Sequence, residues 1–329
     1  MAMRQRKLGT DGPSVGAIGL GCMSFAGAYG KIDEAQAHRT LAAALDLGVT
    51  HLDTAQLYGN GVSESYIGSF IKDHPNRFSI ATKGGIVTGP QRRFDNTEAY
   101  LRESLEGSLK RLGVDHVDLY YIHRRQQDIP IEDVMGTLVK FKQEGKIGGI
   151  GLSEIAPYTL RRAAAVHPVM AVQNEYSLWT RLPELGLLQA CADLGTTFVA
   201  FSSVGRGVFS NRMPVIDDLP DNDFRRSNPR FAEPNYALNK AIVSRFNDFA
   251  NSQNMSPATM ANAWVLQKGE HIIAIPGTGS PEHLAENAAA ADVVLTEAQL
   301  AEIDRLLPVG FAYGDRYSEG QSVGPERYC

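Results

Sequence analysis

The chain has 329 residues, 43% of them hydrophobic, with 32 basic and 37 acidic side chains and a formal net charge of −5. This composition predicts a soluble globular protein with a sizeable core, and without a basic excess it lacks the electrostatic footprint that gathers phosphate backbones or anionic lipid, so neither nucleic acid nor a membrane is an expected partner. The opening MAMRQRKLGTDG has no apolar run after its basic residues and no stretch of about 18 apolar residues follows anywhere, which predicts a cytoplasmic protein. Three widely spaced cysteines, Cys22, Cys191 and Cys329, make neither a disulfide framework nor a CxxC pair and are expected as reduced thiols.

In chain order, residues 4 to 15 read as a short β-hairpin with a TDG turn. Apolar, β-branched runs then predict strands at 16 to 20, 49 to 53, 78 to 82, 117 to 122, 147 to 152, 169 to 173, 197 to 201 and 271 to 275. Helices fit between them. Asp33 with Gln36 reads as a capping box opening a helix that runs to Leu47 and stops at Gly48. Asn96 is the expected cap of a helix from Thr97 to Leu112, and Pro157 and Pro257 suit first helical turns. Two segments break the alternation: 203 to 238, rich in Pro, Asn, Asp and Arg, and the tail after Pro308. Loops of that length in compact proteins are usually lids or binding loops. Eight strand–helix alternations predict one (β/α)₈ TIM barrel over residues 1–329 rather than a doubly wound sheet, with the N-terminal hairpin and the long loops outside its wall.

Barrels of this kind carry their chemistry at the C-terminal ends of the strands. Asp53 ends the second strand in HLDTAQLYG, Tyr58 follows in its loop, Lys83 ends the third in IATKGG, and His123 ends the fourth in LYYIHR. Each alone has a structural reading, as a loop cap, packing, a rim charge or a hydrogen-bonded rim histidine. Together they form a proton-transfer set. A phenol with an ordinary pKa of about 10 is a poor acid at neutral pH unless a cation stabilises its phenolate. Lys83 is expected to supply that charge, Asp53 to orient Lys83, and neutral His123 to share a hydrogen bond at the reacting oxygen. Such a set needs no metal, and its natural task is to protonate a developing alkoxide during carbonyl reduction.

At these residues the sequence resembles the aldo-keto reductase family. DTAQLYG, ATKGG and YYIHR match its catalytic motifs in order, and the resemblance runs on through GLSE, VQNEYSLW, AFSSVGRG and IPGTGSPEHLAEN. YSLWTR and DFRRSNPRF resemble its bacterial branch. The resemblance implies an aldehyde or ketone reductase that also runs in reverse as alcohol oxidation, with Asp53, Tyr58, Lys83 and His123 as its tetrad and Tyr58 as general acid in reduction and general base in oxidation.

GLGCMS and GRGVFS both lack the final glycine of a GxGxxG fingerprint, which places a nicotinamide cofactor across the barrel mouth rather than on a Rossmann turn. Ser280 before Pro281 reads as a helix start after the eighth strand, an anion site of the kind barrels use for phosphate. The resemblance assigns the remainder: Gly21, Met23 and Asp53 in the cofactor seat, Ser153 and Gln173 at the carboxamide, and Phe201 stacked on the nicotinamide. It gives Ser202, Gly205, Arg206 and Gly207 to the pyrophosphate, and Ile275, Gly277, Thr278, Ser280, His283 and Asn287 to the adenosine end. Glu154 stands where many members have Asn, and Phe201 where tyrosine is usual. Gly277 and His283 occupy positions where many relatives place Lys or Arg against a 2′-phosphate, yet Thr278, Ser280 and the helix N-terminus still donate hydrogen bonds. NADPH is the expected cofactor, with NADH the alternative. Phe25, Tyr29 and Trp179, with Tyr313 and Tyr317 of the tail, are expected to line an apolar slot for a small carbonyl substrate.

Two other classes compete. A cofactor-binding regulatory subunit resembling the potassium-channel β subunits would share fold and nucleotide, and a metal-dependent hydrolase could recruit His51 and Asp53, which share a strand face. The second lacks an HxH pair and further strand-end ligands.

Overall fold

The computed structural model describes residues 3–89, 93–221 and 223–328, which leaves Cys329 outside the described residues. Alternation along β1 (Gln5–Lys7) and β2 (Ser14–Gly16) builds the antiparallel hairpin, with Arg6 opposite Val15. Leu8 and Val15 are fully buried against Ala81, Leu119, Tyr121, Ala171, Val199 and Ile273, so the hairpin is the floor of the barrel rather than a free appendage. Arg6 anchors it by donating to the carbonyls of Leu266 and Gly269, each at 2.9 Å.

The wall then follows in order. First come β3 (Leu20–Gly21), α1 (Glu34–Leu47), β4 (His51–Asp53), α2 (Val62–Ile71) and β5 (Ser79–Gly84). A small antiparallel pair, β6 (Ile86–Val87) and β7 (Arg93–Phe94), precedes α3 (Glu98–Leu112), β8 (Val117–Ile122), α4 (Ile131–Gln143) and β9 (Ile147–Ser153). Next are α5 (Pro157–Val166), β10 (Ala171–Glu175), α6 (Leu187–Asp193) and β11 (Thr197–Phe201). After the excursion, α7 (Asn235–Ser252), α8 (Pro257–Leu266), β12 (Ile272–Ala274), α9 (Pro281–Ala289) and α10 (Glu297–Leu306) complete the chain.

Among the described residues, β3, β4, β5, β8, β9, β10, β11 and β12 pair in parallel in that order. The two edges meet. Ile18 bridges Ala274 and Gly21 bridges Gly277, with Gly19 N donating to Ala274 O at 2.8 Å and Ala274 N to Ala17 O at 3.1 Å. The sheet therefore closes into the expected eight-stranded barrel. Each predicted strand overlaps an observed one, and Pro157 and Pro257 open α5 and α8 as expected.

Cap chemistry differs in two places. Asp33 accepts from Gln36 N at 2.8 Å, and Gly48 ends α1 in the left-handed region at φ 73°. The Gln36 side chain, however, reaches across to Gly279 O at 2.6 Å, so only half of the capping box forms. Thr97, not Asn96, caps α3, accepting from Tyr100 N. Asn96 is instead clamped to the β8–α4 loop: its Oδ1 accepts from Gln126 N at 2.7 Å, and its own N–H donates to Gln126 Oε1 at 2.9 Å. A long-range partner wins there over the local cap.

Candidate active site

Asp53 closes β4, Lys83 lies in β5, His123 follows β8, and Ser153, Gln173 and Phe201 sit at or near the ends of β9, β10 and β11. Parallel strands in a closed barrel bring all these ends to one mouth. Tyr58 begins a tight turn, Tyr58–Gly61, in which Gly59 and Asn60 adopt φ 62° and 53°, and this folds the loop back over the mouth.

Lys83 is completely buried, and its three ammonium protons find three acceptors. They go to Asp53 Oδ1 in a close ion pair, to Thr54 O at 2.9 Å and to the Tyr58 hydroxyl at 3.3 Å. Gln173 donates its amide to the other Asp53 oxygen at 2.6 Å. The His123 ring stands edge-on to that of Tyr58, with centroids 5.8 Å apart. The four residues predicted as a tetrad are thus brought together.

The electrostatics of Tyr58 depart from the expectation. Burial penalises the phenolate and pushes the pKa of Tyr58 up; Lys83 pulls it down and Asp53 adds to the rise, so the net direction is upward. The ammonium opposes the burial without overcoming it. For Lys83, burial works against the charge, but Asp53 and Tyr58 outweigh it and hold the ammonium above its usual range. A protonated phenol beside a permanent cation results.

Above this group opens a cleft of about 1110 Å³, at the upper end of the roughly 300–1,000 Å³ of ordinary small-molecule sites. Asp53, Tyr58, His123, Ser153, Gln173, Phe201, Gly21 and Met23 line it. Ser202, Arg206, Gly207, Ile275, Gly277, Thr278, Ser280, His283 and Asn287 line it as well. Gly21 has no room for a side chain, since a Cβ there would lie 2.8 Å from Ile275 O. Ser280 caps α9, accepting from His283 N at 3.2 Å, and Pro281 takes the first helical position. A cleft of this volume, with backbone close to its wall and a helix N-terminus on its lining, suits a dinucleotide with its phosphates.

Several predicted positions are elsewhere. Gly205 is buried and does not line the cleft, and a Cβ there would meet Val208 at 2.8 Å and Phe209 at 2.9 Å. Phe25 is core, 1% exposed. Trp179 does not line the cleft but packs edge-on behind Phe209, which does, and against Phe231 beneath Arg230. Tyr313 is exposed and does not reach it, whereas Tyr29 and Tyr317 do. Arg206 lines the cleft, but its guanidinium is engaged by Glu175 Oε2 at 3.0 Å and Arg316 O at 3.0 Å. Glu154 turns aside: one carboxylate oxygen accepts from Glu175 N at 2.9 Å and the other pairs with Arg316, which ties the tail to the rim.

Several wall residues were not singled out from the sequence, three of them charged or aromatic groups close to predicted ones. Arg124 directly follows His123, and Phe224 and Arg225 come from the excursion. Arg225 lies 5.1 Å from the Tyr29 ring centroid and so joins the excursion to the first loop across the cleft. The signal for these two was the DFRRSNPRF cluster itself, a basic and aromatic run inside a long loop. Among the described residues no cluster of His, Cys, Asp or Glu is placed to hold a metal ion, and no helix is long and apolar enough to cross a membrane.

With the closed barrel and this mouth, the chain belongs to the aldo/keto reductase family, which it matches over residues 17–308. It is 41% identical over 95% of its length to a probable aldo-keto reductase of Glycine max, covering 92% of that protein. It is 40% identical over 97% of its length to an NADP(+) aldo-keto reductase of Schizosaccharomyces pombe, covering 96% of it. Among solved structures, a glycerol dehydrogenase of Gluconobacter oxydans superposes with a TM-score of 0.84 at 29% identity, covering 93% of this chain and 96% of that one. A Klebsiella pneumoniae aldo-keto reductase in complex with NADPH gives 0.74 at 26% identity, covering 97% and 99%.

Proposed function

We propose that the protein is an NADPH-dependent reductase of aldehydes or ketones in which Tyr58 protonates the carbonyl oxygen. When bound, NADPH supplies the hydride. Tyr58 holds its proton at neutral pH because burial raises its pKa, and Lys83 lowers the cost of the phenolate left after the proton departs. Asp53 keeps Lys83 charged, and Gln173 keeps Asp53 oriented. The run of contacts from Gln173 through Asp53 and Lys83 to the Tyr58 hydroxyl, on the wall of a dinucleotide-sized cleft, is the observation that carries this reading.

In the cofactor seat, Ser153 and Gln173 are assigned to the carboxamide and Phe201 to the nicotinamide face. Ser202, Gly207 and Arg206 line the pyrophosphate stretch, while Thr278, Ser280 and His283 face the 2′-phosphate. The contact between Arg225 and Tyr29 supports a role for the 203 to 238 excursion as a strap across the dinucleotide. A single functional unit over 1–329, a cytoplasmic location and no nucleic-acid partner belong to the same reading. The finer placement in a bacterial branch rests on YSLWTR and DFRRSNPRF alone.

A panel of carbonyl compounds with NADPH, followed by loss of reduced-nicotinamide absorbance, tests the activity. Tyr58→Phe should lower kcat by about 10²- to 10⁴-fold, the range of general acid catalysis, with little change in NADPH Kd. Wild-type turnover in that variant would refute Tyr58 as the acid.

A further inference from the structure

The stretch read as facing the 2′-phosphate, GTGSPEH from Gly277 to His283, holds no lysine or arginine, and Glu282 adds a negative charge to it. Ser280 spends its own hydroxyl proton on that carboxylate, donating to Glu282 Oε2 at 2.6 Å, while its oxygen accepts from His283 N. Thr278 differs. It is 7% exposed on the cleft wall, its Oγ1 accepts from Ser280 N at 3.0 Å, and among the described residues its own proton has no acceptor. Of the two hydroxyls in the stretch, only that of Thr278 keeps a proton to give, and a bond to a charged oxygen is among the stronger ones.

What holds this arrangement comes from another element. Gly279 O accepts from two side chains of α1, Gln36 Nε2 at 2.6 Å and Thr40 Oγ1 at 2.9 Å, which fills both of its lone pairs. The orientation of the Gln36 amide is fixed by its neighbours: Oε1 takes a bond from Arg39, which can only donate, so the N–H faces the carbonyl. Ile32 closes the space beside the loop, since a Cβ on Gly279 would overlap its Cδ1. A peptide unit is planar, with its C=O and N–H pointing in opposite directions. Clamping Gly279 O on α1 therefore aims the N–H of Ser280 away from α1 and at Thr278 Oγ1, and that bond leaves the Thr278 proton for a ligand.

We propose that Gln36 and Thr40 are positioning residues for the 2′-phosphate of NADPH: through the Gly279–Ser280 peptide they hold the Thr278 hydroxyl ready to donate to it. The proposal rests on the placement of the 2′-phosphate in the reductase reading. Geometry set from α1 does here what a lysine or arginine side chain would do by charge. Neither Gln36 nor Thr40 lines the cleft, so their effect should pass through Thr278.

The test titrates NADPH and NADH separately onto wild type, Gln36→Met, Thr40→Val and Thr278→Val. Both α1 variants nearly keep the side-chain size and remove the donor, and the cap bond from Gln36 N to Asp33 survives because the backbone makes it. Wild type should bind NADPH more tightly than NADH. Gln36→Met and Thr40→Val should each weaken NADPH by about threefold or more, the scale of one neutral hydrogen bond, and leave NADH nearly unchanged. Thr278→Val should weaken NADPH by about tenfold or more, as for a hydrogen bond to a charged group. With Thr278→Val already present, Gln36→Met should have no further effect on NADPH, since the group it positions is gone. A residue that merely supports the fold would instead weaken both nucleotides alike in either background. Equal losses for NADPH and NADH, an unchanged NADPH affinity in either α1 variant, or losses that add to that of Thr278→Val would overturn the positioning role and leave the reductase reading standing. No preference for NADPH in wild type, or a preference that Thr278→Val leaves intact, would overturn the placement of the phosphate and the proposal with it. Wild type that binds neither nucleotide would overturn the reductase reading as well. Should Gln36→Met fail to fold, Thr40→Val carries the same comparisons, alone and with Thr278→Val.

Discussion

Gln173 donates its side-chain amide to Asp53 at 2.6 Å, across two strands that are not neighbours in the barrel, β10 and β4. Asp53 is 2% exposed and divides its two oxygens between Lys83 and Gln173, so no part of its carboxylate is left unpaired. Gln173 also faces the cleft, and so joins the cofactor seat to the proton-donating group.

Gln173→Leu removes the donor and leaves one buried carboxylate oxygen unsatisfied. The expected cost is about 1–3 kcal/mol of stability, the desolvation penalty of an orphaned acceptor. On the reductase reading, kcat should fall as well, by about 10- to 100-fold, because a shift of Asp53 moves Lys83 and with it the phenol. Thermal melts and steady-state kinetics check both. A variant with wild-type Tm and kcat would mean that the Gln173–Asp53 bond does no positioning.

The upward shift of Tyr58 fixes the sign of a pH profile. An acid must be protonated to donate, and kcat/KM reports the pKa of the free enzyme. Burial holds the Tyr58 phenol above its ordinary value of 10.0, with Lys83 only partly compensating. The alkaline fall of kcat/KM for reduction that belongs to Tyr58 should therefore lie above about pH 10, and alcohol oxidation, which needs the phenolate, should still be rising there. A Tyr58-dependent fall centred near about pH 8 would show that the ammonium outweighs burial after all.

That sign was not legible from the sequence. Asp53, Tyr58, Lys83 and His123 were recognisable because strand periodicity places each at or just past a strand end, and a barrel gathers strand ends at one mouth. The balance between burial and the Lys83 charge depends instead on how deeply the phenol sits, which is a property of packing. Phe25 and Trp179 failed for a related reason. An aromatic in a loop fits a cleft wall and a core equally well, and what decides Trp179 is contact with Phe209 and Phe231, distant in sequence. Asn96 and Thr97 are adjacent residues, both able to cap, and the choice was made by Gln126 thirty positions away. Arg124 could have been noticed beside His123, but only the structure shows that it lines the cleft while Arg125 has a buried counter-ion.

That counter-ion is Glu326, which lies near the end of the tail and is 6% exposed. Its carboxylate accepts from Arg125 Nη1 at 2.6 Å, from Ala156 N at 2.8 Å and from Thr159 Oγ1 at 3.0 Å. Ala156 is the N-cap of α5 and has no side chain able to cap it. Glu326 supplies the missing acceptor from 170 residues away, and its charge also lies at the favourable end of the helix dipole. Glu326→Ala therefore strips α5 of its acceptor and leaves Arg125 buried and unpaired. Removing one partner of a buried pair costs about 3–5 kcal/mol, so a marked drop in Tm is expected. Arg125→Met combined with Glu326→Leu removes both charges and should recover part of that loss, because no lone ion stays buried. Equal melting temperatures for wild type and Glu326→Ala would show that the tail does not depend on this clasp. A double variant less stable than Glu326→Ala would show that capping α5, rather than pairing Arg125, is the main role of the carboxylate.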